Sequence, residues 1–154
     1  MCRVEGCDPW EFFHERHHIA RKDHTCCECR RRIRRGERYR CSVGKGDGRF
    51  DSFRTCAHCE AAARWLVQVC NGYLFCGVLE ELEEHFFEEG APIRSVKLGL
   101  LIAQMRRQWR STRGRLASVP TWADELGHET AMQLREIELI GKFDNQLRRL
   151  RLAS

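Results

Sequence analysis

The sequence predicts an α+β chain dominated by helix, with a small metal-organised module near its start. Three observations predict this. Two Cys-x-x-Cys pairs, Cys26 with Cys29 and Cys56 with Cys59, flank a short, basic, glycine-containing stretch. That stretch carries strand and turn patterns. Beyond it, helical periodicity takes over.

Four thiolates brought together by such pairs close a tetrahedron around one zinc ion. A closed set leaves no position for water or substrate, so the expected zinc is single and structural. A loop-rich segment of this length has little core of its own, and the metal would stabilise its fold. Cys27 and His58 lie beside the pairs and compete as ligands. The two-residue gap on both sides selects Cys26, Cys29, Cys56 and Cys59.

Within residues 26–59, Ile33 is placed to plug a small core and Gly36 to take a turn conformation that a Cβ resists. Residues 37–43 and 49–54 read as two strands around a glycine-rich turn at 44–48. The second cysteine pair sits at the start of a helical stretch through 61–67, where partial positive charge favours thiolates. Knuckle, hairpin, then helix is the order of a treble-clef zinc finger. Upstream, Trp10 to Ile19 fits a short helix or a strand entering the module. Cys2, Cys7, His14, His17, His18 and His24 form a looser set whose spacing matches no usual ligand pattern. His24 is the best candidate there for a contact outside the metal shell.

The remaining chain reads as helices. Trp65, Leu66 and Val69 give the first an apolar stripe, and Cys70-Asn71-Gly72 should stop it. Val78, Leu79, Leu82 and Phe86 repeat the helical spacing, with glutamates over the other face, until Gly90 and Pro92. A third stretch spans roughly 95–113, with Leu98, Leu101, Met105 and Trp109 apolar and Arg106, Arg110 and Arg113 together on another face. After Val119-Pro120, Thr121 and Asp124 have capping-box spacing. A final helix is expected over about 129–152, where Leu139, Phe143, Leu147 and Leu150 form a narrow seam. Docking on the body or pairing with a second copy would both use it.

Composition narrows the setting. The chain has 154 residues, ten cysteines and a formal charge of +5. A bound zinc with four thiolates would bring this to roughly +3. There is no apolar signal stretch at the start and no run able to span a bilayer. A soluble cytoplasmic setting follows, where paired cysteines bind metal more often than they oxidise. Cys2, Cys7, Cys27, Cys41, Cys70 and Cys76 then read as buried thiols.

Function is less determined. Arg30, Arg31, Arg32, Arg34, Arg35 and Arg38 cluster at the knuckle. From 16 to 40 there are ten Lys and Arg against three acids. Such a patch attracts phosphates, and Tyr39, Phe50 and Phe53 offer stacking faces. Arginines beside four thiolates can also simply balance their charge. No enzyme is expected. A ββα-metal nuclease needs a histidine on the hairpin, and residues 37–54 contain none. The glutamate face (Glu80, Glu81, Glu84), with Arg106 and Arg110, is the candidate protein-binding surface. It can mimic the charge spacing of nucleic acid. Its plain alternative is that the arginines pair with the glutamate helix just before them.

Several runs also resemble a known group. They are 20–29, 36–39, 53–59 and 72–77, with Arg106-Arg107-Gln108-Trp109-Arg110 further on. They resemble small treble-clef-like zinc-finger proteins encoded by bacteriophages and prophages, over roughly 20–122. The resemblance implies a phage accessory protein and names no reaction. The division expected is a leader (1–25), a zinc module (26–76), a helical continuation (77–122) and a C-terminal helix (123–154). The favoured expectation is a non-catalytic protein that inhibits a host nucleic-acid-handling or defence complex, as an anti-CRISPR protein does. The runner-up is a DNA-binding transcriptional regulator, and a metal-dependent nuclease is a distant third.

Overall fold

A computed structural model describes residues 12–46, 49–87 and 95–152, and the side chains of 13–45, 49–87 and 95–142. The fold is α+β. Its elements are β1 (Phe12–Ile19), β2 (His24–Thr25), β3 (Arg32–Ile33), β4 (Arg38–Gly46), β5 (Arg49–Cys56), α1 (Ala57–Cys70), α2 (Val78–Phe87), α3 (Val96–Arg106) and α4 (Trp122–Leu152).

Two antiparallel sheets meet at the metal-site cysteines. β1, β4 and β5 form one, with β4 in the middle; β2 and β3 form a small ladder inside the knuckle. Tyr39 lies opposite Cys56 and Cys41 opposite Arg54. This register carries β5 straight into α1, so Cys56 ends a strand and Cys59 lies in the first turn of a helix. Residues 12–19 take the strand alternative and pair with β4 from Phe12–Lys45 to Ile19–Arg38. The sheet of the metal module therefore begins well before residue 26. Of the expected hairpin turn, residues 47 and 48 lie outside the described residues.

One core joins the module to the helices. Ile33, Trp65, Leu66, Val78, Leu82, Leu98, Leu101, Met105, Trp109 and Ala123 are all buried in a single cluster with the four cysteines. The apolar stripes predicted from helical spacing are the faces that meet there. α1 ends where expected, with Asn71 left-handed at φ 60°. α2 runs to Phe87; the predicted stop at Gly90 and Pro92 lies outside the described residues. The first turns of α4 pack on α1, and a Cβ on Gly127 would stand 3.2 Å from the Trp65 Cα. Glycine thus permits this close approach.

Two boundaries depart from expectation. α4 starts at Trp122, directly after Thr121, and runs unbroken past Gly141. α3 stops at Arg106 instead of continuing to 113. Gln108 (φ 54°) and Trp109 (φ 61°) are left-handed, and Arg110 pairs across a tight turn with Leu116. Arg106, Arg110 and Arg113 therefore do not share a helical face. The cause is Trp109, which is 1% exposed and turned inward onto a cysteine sulfur.

Candidate metal centre and its basic edge

The knuckle is built by its own backbone. The Cys26 N–H donates to the Arg31 carbonyl at 2.9 Å, and the Arg30 N–H donates to the Cys26 carbonyl at 3.1 Å. Closing this turn puts Arg30 at φ 62°, a conformation that costs a residue with a Cβ roughly 1–2 kcal/mol. The Cys56 N–H donates to Cys26 Sγ at 3.3 Å. Donors of this kind stabilise thiolate over thiol.

Cys26, Cys29, Cys56 and Cys59 are buried, and their four sulfurs all lie within 4.8 Å of one another. Cys29 Sγ and Cys56 Sγ are 4.0 Å apart. A tetrahedral site with metal–sulfur bonds of 2.3 Å has sulfur edges of about 3.8 Å. The four cysteines are thus close enough to bind one metal ion. The sulfurs share protons unevenly. Contacts with Cys26, Cys29 and Cys59 hold the Cys56 thiol far below its ordinary range. Burial and then the neighbouring sulfurs push Cys59 up. A divalent cation is what lets all four ionise together.

The surroundings of the sulfurs are specific. The Trp109 indole N–H donates to Cys59 Sγ at 3.2 Å. Arg31 is 2% exposed and makes a 2.7 Å ion pair with Glu37. Burial alone would lower its pKa, but Glu37 and the Cys56 sulfur outweigh burial and raise it. Arg31 also approaches His58 Nδ1 at 3.4 Å, while His58 Nε2 lies 2.8 Å from the Ala117 carbonyl. An arginine only donates and a carbonyl only accepts, so this chain fits the tautomer protonated on Nε2. His58 is a buried strut beside the cluster and not a fifth ligand. His24 instead contacts the Tyr39 ring at 5.1 Å between centroids.

Glu28, a residue the sequence analysis left without a role, ties the knuckle to α2. Its two carboxylate oxygens accept the Cys76 and Val78 N–H groups at 2.9 and 3.1 Å. A carboxylate at a helix start satisfies orphan donors and meets the positive end of the dipole. Burial raises its pKa despite those bonds. The signal available in sequence was an acid inside a knuckle; its helical partner 50 residues on was not visible.

The predicted arginine patch divides. Arg30, Arg32, Arg34, Arg35 and Arg38 are exposed. Arg31 is a correction: it faces the sulfurs, because four buried thiolates need a buried cation more than the surface needs a sixth arginine. Asp23 holds the Arg35 backbone N–H at 3.1 Å and lies 3.6 Å from Arg32. Beside this edge is a concave surface of about 770 Å³ lined by His17, His18, Ile19, Arg21, Lys22, His24 and Tyr39. β1 and β2 place His17, His18 and His24 along one basic groove. His17 also pairs with Glu60 at 2.7 Å.

The predicted acidic face also divides. Glu80 is exposed and Glu84 half-buried, but Glu81 is 3% exposed and accepts the Leu74 N–H at 2.7 Å. Arg106 pairs with Glu83 at 2.7 Å, the plain alternative named for it. Arg110 donates to the Gly114 carbonyl at 2.8 Å. Glu81 is thus held inside the fold and Arg110 by its own turn, so neither continues an exposed face with Glu80.

Fold and site define an α+β protein with a buried four-cysteine cluster compatible with a zinc module. No protein family, curated protein or solved structure matches the chain. No helix among the described residues is long and apolar enough to cross a membrane.

Proposed function

We propose that this is a non-catalytic zinc protein of treble-clef type that grips the phosphate backbone of nucleic acid with its knuckle. One observation carries the reading. Five exposed arginines (Arg30, Arg32, Arg34, Arg35, Arg38) lie on the knuckle, β3 and the turn into β4, next to the cysteine cluster and beside a groove carrying Arg21 and Lys22. Rigid display lowers the ordering cost of binding. The one arginine withdrawn from the loop is the one that neutralises the cluster. Zinc is the metal expected for four thiolates in a closed set. The contacts are to phosphate, so sequence-independent binding is expected.

The test is titration of labelled duplex and single-stranded DNA and RNA at several salt concentrations. The triple variant R32A/R34A/R35A should bind more weakly and lower the salt slope by two to three phosphate contacts' worth. An unchanged slope would remove the knuckle from the interface.

Inhibition of a host nucleic-acid-handling or defence complex is the second reading. Exposed Met132, Ile137, Leu139 and Ile140 on α4 favour it, since they offer an apolar protein-docking surface where the glutamate face does not. A partner complex that survives nuclease treatment and is lost on L139E/I140E would put this reading first.

A further inference from the structure

The groove at the end of β1 carries more than charge. His18 and Ile19 end β1, Arg21 and Lys22 lie in the link to β2, His24 starts β2, and Tyr39 belongs to β4. Two backbone bonds fix the link. The Ala20 N–H donates to the Glu37 carbonyl at 2.9 Å, and the Gly36 N–H donates to the Ala20 carbonyl at 2.8 Å. Ala20 is buried by this clamp, and Arg21 and Lys22 stand exposed beside it. Arg32, Arg40, Arg64 and Arg106 each meet a carboxylate; among the described residues, Arg21 and Lys22 meet none. Asp23, the acid of the link, holds the Arg35 N–H at 3.1 Å and lies 3.6 Å from Arg32, so it joins the groove to the arginine edge.

The groove also has an apolar and aromatic wall. Ile19 is 61% exposed. Tyr39 is buried, and the rings of His24 and His18 are tilted against it at 5.1 and 5.7 Å between centroids. The stacking face expected of Tyr39 thus passes to the two imidazoles that cover it. The volume of about 770 Å³ is within the range of ligand sites. A duplex keeps its base faces stacked on one another and offers phosphates and base edges. An unpaired nucleotide adds an exposed flat face to the same charge, and every base has such a face. Free cations beside exposed rings and an aliphatic side chain complement the unpaired form.

We propose that this groove takes the bases of unpaired nucleotides, so that the protein binds single-stranded nucleic acid in preference to duplex. Bases lie against His18, Ile19 and His24, while Arg21 and Lys22 hold phosphates of the strand that runs on to Arg32 and Arg35. This inference rests on the nucleic-acid reading of the knuckle and adds to it the form of nucleic acid bound.

The test is anisotropy titration of the full chain, purified with zinc, against a labelled oligothymidine of about 12 nucleotides and a duplex of the same length, at several salt concentrations. The single strand should bind about tenfold tighter than the duplex. H18A/I19A should remove that preference and leave duplex affinity unchanged. R21A/K22A should lower the single-strand salt slope by about one to two phosphate contacts' worth. If H18A/I19A does not fold, ultraviolet crosslinking of oligothymidine to the wild type decides, with the crosslink expected within residues 17–24. Equal affinity for the two forms, a preference kept by H18A/I19A, an unchanged single-strand slope in R21A/K22A, or a crosslink elsewhere would each overturn the proposal. Equal affinity together with weakened binding in R32A/R34A/R35A would leave the knuckle reading standing alone. A single-strand preference lost in H18A/I19A, with the slope unchanged in R32A/R34A/R35A, would keep the groove and remove the knuckle. Binding of neither form would end both.

Discussion

The knuckle and the far half of α4 are held by opposite means. In the knuckle, nearly every polar group has a named partner: sulfurs receive N–H donors, Arg31 meets Glu37, and Glu28 caps α2. In α4, the first turns bury Ala123, Leu126 and Thr130, but Leu139 and Ile140 are 66% and 62% exposed. One region is short, irregular and over-determined. The other is long and regular, and its described side chains from 135 to 142 face solvent. Regular secondary structure is therefore a poor guide to where the stability of this protein resides; converging donors around the cysteines are a better one.

The comparison is broken most sharply at the sulfurs. C59S should abolish metal binding and unfold the module, because apparent binding energies for structural zinc reach about 10–16 kcal/mol. Metal content and circular dichroism would show both losses, while a folded, metal-loaded variant would contradict the ligand set. Acid should act in the same place. Protons compete with metal for thiolates, so metal affinity falls as pH falls. Glu37 adds to this. Burial would raise its pKa, but the Arg31 hydrogen bond, the Arg34 N–H and the Arg31 charge lower it below the ordinary 4.5. Its stabilisation is complete above 4.5 and is lost as pH falls through the lower folded value. E37Q should remove that part of the acid sensitivity in urea melts taken from pH 6 to 3.

Smaller effects sharpen the contrast. E28A leaves the Cys76 and Val78 N–H groups without their acceptor and should cost about 2–4 kcal/mol in chemical denaturation. A loss under 0.5 kcal/mol would mean that α2 does not depend on the knuckle. At the other extreme, L139E should change stability by no more than about 0.5 kcal/mol, since that side chain faces solvent. A large loss would show that the far half of α4 is covered after all, by the body or by a second copy.

Much of this arrangement was legible in the chain. The two Cys-x-x-Cys pairs, Ile33, Gly36 and the apolar stripes of α1 to α3 all fell where local rules put them. Those rules depend on spacing and on what a residue can do alone. The misses share another character. Arg31 looked like its five neighbours, Glu81 like the other glutamates, and Trp109 like the next step of a helix. Each was claimed by a group outside its own element: Arg31 by the Cys56 sulfur and Trp109 by Cys59, both far along the chain, and Glu81 by the Leu74 N–H seven residues back.

By itself, then, the sequence determined which four cysteines converge, the helical class and the apolar stripes of α1 and α2, because those follow from ligand chemistry and periodicity. Tertiary structure alone decided which charges are displayed and which are consumed, and where α3 must end. Burying four sulfurs creates a local demand for cations and N–H donors, and only the folded chain settles which residues are near enough to meet it.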